Sequence, residues 1–230
     1  MVNNSLDISI DTLKEQTVLM MEKCEEAIEK SVTCMIEKDL EGARKVVEDD
    51  EEINKLREEI RDKSIELIVL KQPMARDLRF IYSLGNISIE LERIGDYAAN
   101  IAREMLKIGG EAYIKELIDI PKMAKECKSM MSQTREALIL FDASIAYDVG
   151  TKDDIVDGLY EQVQIDCLKI MHENSNTIDQ GVKLLLIGRY LERIGDHITN
   201  VCEKIIFAIE GKMVEIGKKT ALKQFFYCLN

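Results

Sequence analysis

The sequence predicts an all-α protein arranged as a tandem repeat of two three-helix bundles. Three observations carry this. Apolar residues recur at alternating spacings of three and four along most of the chain, the stripe of an amphipathic helix. Breakers are scarce: there are two prolines, twelve glycines and no tryptophan in 230 residues, and aromatics make up only 5%. Leu, Ile, Met, Ala, Glu and Lys dominate, and these favour helix. Finally, Leu91-Glu92-Arg93-Ile94-Gly95-Asp96 recurs as Leu191-Glu192-Arg193-Ile194-Gly195-Asp196, and an asparagine follows each copy four residues later, Asn100 and Asn200. Self-similarity at a long fixed period marks a duplicated structural unit.

Six helices are predicted. The first runs from about Asp11 to Glu37, with Leu13, Met20, Cys24, Ala27 and Cys34 on its apolar stripe. Asp39 is a suitable N-cap for the second, which runs to about Leu70 through Val46, Ile53, Leu56, Ile60 and Leu67. Pro73 stands where the third begins. That helix carries Leu84, Ile87, Leu91, Ile94, Ala98, Ile101 and Met105 and ends at Gly109-Gly110. The fourth starts near Asp119-Ile120-Pro121 and takes its stripe through Leu138 and Phe141 to Ile145, with a break at Gly150-Thr151. The fifth takes Val156, Leu159, Val163 and Ile170. Asn174-Ser175-Asn176-Thr177 is a loop or an N-cap. The sixth carries Leu184, Ile187, Leu191, Ile194, Ile198, Val201 and Ile205.

The duplication extends past the short motif. Asp39, Ala43, Val46, Asp50 and Asn54 align with Asp142, Ala146, Val149, Asp153 and Asp157 at an offset of 103, and the later motif aligns at 100. A three-residue change of loop length between the second and third helices accounts for the difference. The expected units are therefore residues 1–110 and 111–217, joined near Gly109 to Asp119, with 218–230 as a tail that has no counterpart in the first half.

The formal net charge is −12. An acidic surface repels phosphate backbones, so nucleic acid is not an expected partner, whereas cations and basic protein surfaces are. None of the six cysteines forms a C-x-x-C pair. They read as small buried residues in a reducing compartment. There is no apolar signal core and no run of membrane-spanning length, so a cytoplasmic protein without membrane insertion is expected.

On a helix, Glu92, Asp96 and Asn100 share one face, roughly opposite the core stripe, and Glu192, Asp196 and Asn200 repeat it. Like charges four apart cost a few tenths of a kcal/mol, and a glycine inside a helix costs about 1 kcal/mol against alanine. Both copies keep these unfavourable features, while nearby core positions have drifted, Ala98 against Ile198. A cation accounts for this. Asp50 and Asn54, repeated as Asp153 and Asp157, form a second row on the preceding helix, so two oxygen-rich faces could enclose hard cations such as iron, manganese, magnesium or calcium. Zinc is less favoured without histidine and cysteine ligands. Gly95 and Gly195 would permit close approach of a helix or an ion shell. His197 follows Asp196 and could join the second site; Glu90 could extend the first. No phosphate-binding loop, nucleophile elbow or H-E-x-x-H is present.

The repeated L-E-R-I-G-D, the paired D-x-x-x-[DN] rows and the P-x-A-x-D-L-R entry at Pro73, Ala75, Asp77, Leu78 and Arg79 resemble the PhoU family of accessory and regulatory proteins of phosphate-specific transport. The resemblance covers about Leu6 to Glu215; the second unit lacks the proline and the D-L-R at its helix entry. It implies a PhoU-like pair of three-helix bundles with no catalytic activity, and a homodimer. It also implies multinuclear iron or zinc clusters at Glu92, Asp96, Asn100, Asp50 and Asn54, and at Glu192, Asp196, Asn200, Asp153 and Asp157. The implied function is negative regulation of phosphate uptake and phosphate-starvation signalling, linking the phosphate ABC transporter to the sensor histidine kinase. Two alternatives remain open at this point. One is a metal-free acidic helical scaffold for a basic partner. The other is a di-iron carboxylate protein, against which stands the lack of a Glu three residues before either His172 or His197.

Overall fold

In a computed structural model that describes residues 4–216, the regular elements are seven α-helices and one turn of 3-10 helix. Helix α1 (Asn4–Glu37) begins about two turns earlier than expected, because buried Leu6 and Ile10 extend its stripe toward the N-terminus. Helix α2 (Leu40–Lys71) is capped by Asp39, whose carboxylate accepts from the Gly42 N–H at 2.9 Å. Helix α3 (Ala75–Ile108) starts two residues after Pro73, so the proline precedes the helix and does not occupy its first turn.

The second unit departs from expectation at its second helix. Helix α4 (Asp119–Leu140) stops at Phe141, which adopts a left-handed backbone with φ of 56°, and does not continue to Ile145. Asp142 then caps α5 (Ala143–Gly150) by accepting from the Ser144 N–H at 2.8 Å. The same geometry occurs in the first unit, where Lys38 takes φ of 59° just before Asp39. The alignment of Asp39 with Asp142 already required it; the run of apolar spacings across Phe141 and Ile145 concealed it. The expected break at Gly150-Thr151 is present, but it divides the second helix of the unit into α5 and α6 (Asp153–Glu173). Ile216 occupies the break: a Cβ at Gly150 would lie 2.6 Å from its Cγ2. Ser175–Thr177 form the 3-10 turn, and α7 (Ile178–Glu210) completes the unit. The expected tail at 218–230 lies outside the described residues.

Helices α2, α3, α7 and α6 lie side by side as one layer, and α1 and α4 pack behind it. The middle pair is antiparallel: Arg79 Nε donates to the Ala208 carbonyl at 3.3 Å near one end, and Tyr97 stacks on Tyr190 farther along at 5.8 Å. The duplication thus becomes a pseudo-two-fold whose axis passes between α3 and α7. Equivalent internal bonds follow it. Cys24 Sγ donates to the carbonyl of Leu91 at 3.3 Å, and Cys127 Sγ to that of Leu191 at 3.4 Å. Five described cysteines are free and buried, as expected of small apolar residues, and burial pushes the Cys202 thiol up to about 12. Cys228 lies outside the described residues. No helix among the described residues is long and apolar enough to cross a membrane.

Candidate functional site

The carboxylate rows sit on the outer face of the layer, as the helical wheel requires. Leu91, Ile94, Ala98 and Ile101 are fully buried toward α1 and α2, while Asp96 and Asp196 remain half-exposed on the opposite side. The structure brings the two rows of each unit together through the motif glycine. A Cβ at Gly95 would lie 3.0 Å from Asp50 Oδ1, and one at Gly195 would lie 2.6 Å from Asp153 Oδ1. Glycine here serves helix approach: it lets a carboxylate from α2 or α6 press against the backbone of α3 or α7.

Both of these aspartates are buried, and each Oδ1 has no hydrogen-bond partner. Such an atom costs about 1–3 kcal/mol. Burial, then repulsion from Asp96, raises the Asp50 carboxyl to about 6, with Arg103 opposing. Burial, then Asp157, Asp196 and Glu192, raises Asp153 to about 7. Burial also raises Glu192 and Asp196, and Glu192 Oε2 is a further buried oxygen without a partner.

The second row is the more acidic, for reasons visible at aligned positions. In the first unit Arg57 of α2 donates to Glu92 at 2.9 Å. Its counterpart in α6 is Tyr160, and Glu192 is paired instead to Arg189 of its own helix. Arg103, which donates to Asn100 at 2.7 Å, is replaced by Glu203, and Asn54 by Asp157. Arg93 and Arg193 reach Asp96 and Asp196 at 3.4 and 3.2 Å on the exposed side. The Arg57–Glu92 pair is the most enclosed of these, with side-chain exposures of 24% and 18%. Arg57→Ala is expected to lower stability by about 1–3 kcal/mol, because Glu92 would be left without its cation. Arg93→Ala, at a solvated pair, is expected to lose under about 1 kcal/mol. Urea unfolding of the two variants checks the contrast.

The row residues are not all grouped by unit. Glu90 of α3 accepts from Asn200 at 3.1 Å and pairs with His197 Nδ1 at 2.7 Å. Burial alone would raise the Glu90 carboxyl, but these two hydrogen bonds hold it low. His197 and Asn200 therefore tie the second unit to the first, and the Tyr97 ring lies tilted beside the same imidazole at 5.6 Å. The repeat carries no sign of this contact, since Glu90 has no counterpart in it: position 190 is Tyr190.

Donor chemistry suits a hard cation, since unpartnered buried carboxylate oxygens are what such an ion neutralises. Among the described residues, however, no three Asp, Glu, His or Cys side chains stand close enough together to hold an ion, and arginines take the nearest positions.

A family model described as the PhoU domain matches residues 17–105 and 120–205, one match per unit. A phosphate-specific transport system accessory protein PhoU homolog from Clostridium acetobutylicum is 33% identical over 218 residues, covering 94% of this chain and all of that one. A homolog of the same description from Aquifex aeolicus is 34% identical over 206 residues, 90% of this chain and 93% of its own. Crystal structures of PhoU from Streptococcus pneumoniae and Pseudomonas aeruginosa superpose with TM-scores of 0.86 at 27% identity, covering 92% and 90% of this chain and all of theirs. With the duplicated helical units and their carboxylate rows in place, these matches make the conclusion plain: the chain belongs to the PhoU family.

Proposed function

We propose that the protein is a non-catalytic negative regulator of phosphate uptake and phosphate-starvation signalling. The outer face of α3 and α7 docks on the cytosolic sides of the phosphate ABC transporter and the sensor histidine kinase. The observation that supports this is the repetition, in both units, of an acidic pair on that face, Glu92 with Asp96 and Glu192 with Asp196, beside a costly buried aspartate whose unpartnered Oδ1 is pressed against a helix glycine. Packing alone gives no reason to keep it twice. The relatives' shared description as accessory proteins of phosphate-specific transport supports the same role. Here the rows act as an acidic scaffold. Arg57, Arg93, Arg189 and Arg193 hold the carboxylates in place, and a basic partner surface gains what the arginines leave unneutralised. Glu192→Ala with Asp196→Ala is expected to weaken retention on detergent-solubilised transporter at least tenfold, about 1.4 kcal/mol or more, without lowering thermal stability. Equal retention would contradict the proposal.

One observation favours a metal-loaded form of the same face, namely the partnerless Oδ1 atoms of Asp50 and Asp153. Iron or zinc would be held by Asp50, Asn54, Glu92, Asp96 and Asn100 in the first unit, and by Asp153, Asp157, Glu192, Asp196 and Asn200 in the second. When bound, the metal would supply the positive charge that these groups lack. Elemental analysis of protein purified without chelator or affinity metal distinguishes the two forms. Stoichiometric metal that disappears in Asp50→Ala with Asp153→Ala supports the loaded form; metal-free protein that retains transporter binding opposes it.

A further inference from the structure

The carboxylate rows are not the only surface feature repeated. Leu78 and Tyr82 on α3 and Ile65 on α2 are exposed apolar side chains, at 39, 55 and 56%. Offsets of 100 and 103, those of the duplication, lead to Ile178 and Val182 on α7 and Leu168 on α6, which are exposed at 47, 45 and 58%. Scattered apolar residues on a surface need no explanation, but a patch reproduced at equivalent positions does. On α3, Leu78 and Tyr82 lie on the same helical face as Glu92, Asp96 and Asn100, about three to six turns nearer the N-terminus. The α7 patch has the same relation to its own row.

Because α3 and α7 are antiparallel neighbours, the pseudo-two-fold axis stands normal to the layer. Both patches and both rows therefore look out from the same side. Arg79 meets Ala208 and Tyr97 meets Tyr190, which puts Leu78 near one end of the layer and Ile178 near the other. At 1.5 Å per residue the patches are about 40 Å apart, with the two rows between them. Read along the layer, the order is apolar, acidic, acidic, apolar.

We propose that this face takes a two-fold symmetric partner: one copy of the chain spans two identical subunits, each offering an apolar element beside a basic one. A surface that is its own image under a two-fold matches an assembly with that symmetry, and one copy then engages both subunits at once. Charge selects the kind of partner. Asp96 and Asp196 keep more than a third of their side chains exposed on this face beside Arg93 and Arg193, and the chain carries −12 overall. A second copy would bring acidic rows against acidic rows, and an anionic membrane surface would be repelled, whereas a basic protein surface is attracted. The inference rests on the proposed docking to the transporter and adds its geometry.

The test uses the full chain and the phosphate ABC transporter in lipid nanodiscs, with empty nanodiscs of the same lipid as control. Mass photometry is expected to give one chain per transporter. Leu78→Glu with Tyr82→Glu, and separately Ile178→Glu with Val182→Glu, are each expected to weaken binding at least tenfold, since losing one of two linked contacts forfeits the effective concentration that the other supplies. All four together should abolish binding. Circular dichroism melts check folding; if a glutamate pair unfolds, the glutamine versions of the same pair replace it. Two chains per transporter, or an effect confined to one patch, would overturn the symmetric geometry while leaving transporter docking intact. Wild-type binding to empty discs, or substitutions that disrupt only self-association, would assign the patches to lipid or to a second copy and overturn the inference. No wild-type binding to the transporter would remove both the docking and the inference.

Discussion

Asp153→Asn is expected to stabilise the protein near pH 8 and to give no such gain near pH 4. The cause is the raised carboxyl of Asp153, at about 7 in the folded protein against an ordinary 3.8. A carboxyl whose pKa is higher folded than unfolded makes the folded state the better proton binder. Its contribution is most favourable below the unfolded value and is lost as pH rises through the folded value. For Asp153 the window runs from about 3.8 to about 7. At 1.36 kcal/mol per pH unit the full shift corresponds to about 4 kcal/mol, an upper bound because Asp157, Asp196 and Glu192 titrate with it. The amide, which needs no proton to be neutral, is expected to gain about 2–4 kcal/mol near pH 8. Asp50→Asn should follow the same sign with a smaller gain, since that carboxyl rises only to about 6. Chemical denaturation at three pH values checks both. A gain for Asp153→Asn at low pH, or none at high pH, would contradict burial of a charged group at that position.

Gly195→Ala is expected to destabilise, although helix propensity alone would favour alanine by about 1 kcal/mol. The added methyl would lie 2.6 Å from Asp153 Oδ1, and that carboxylate belongs to the first turn of α6, seated against α7. Forcing it outward is expected to cost about 1–3 kcal/mol net. In an Asp153→Ala background the obstruction is gone, and Gly195→Ala should then return to the stabilising sign. This reversal separates the close approach from a general intolerance of α7. At Gly95 the new methyl would meet Asp50 Oδ1 and two carbons of Ile53, all at 3.0 Å, so the loss there should be smaller but less fully rescued by Asp50→Ala. Unchanged stability in Gly195→Ala would mean that the glycine has no role in helix approach.

The architecture was legible because two signals agreed. Periodicity placed long helices, and the repeated motif fixed their grouping into units. Where the signals conflicted, the repeat was the better guide. Phe141 and Ile145 keep helical spacing with the residues before them, yet Asp142 aligns with the cap Asp39, and the chain breaks there. The break at Gly150-Thr151 was visible locally, but its place inside the second helix of the unit was not, and Ile216 fills the space at Gly150 from more than sixty residues away. The outward rows could be read from the helical wheel, and the two glycines marked a close approach without telling a helix from an ion shell. What surrounds the rows could not. Arg57 approaches Glu92 from another helix, and Glu90 joins His197 and Asn200 across the unit boundary. Neither contact follows any repeat or spacing, since each depends on how helices cross. The contrast between Arg57 and Tyr160 was present in the alignment, but only the packing of α2 on α3 gives it meaning.

The role of the carboxylate rows is tested most directly in cells. A strain lacking this protein, grown with abundant phosphate and carrying a phosphate-starvation reporter, would be complemented with the wild-type chain or with Glu92→Ala, Asp96→Ala, Glu192→Ala and Asp196→Ala combined. The wild type is expected to silence the reporter. The substituted chain, present at equal level and with an intact thermal transition, is expected to leave it on. Full repression by the substituted chain would show that the rows do not carry the regulation.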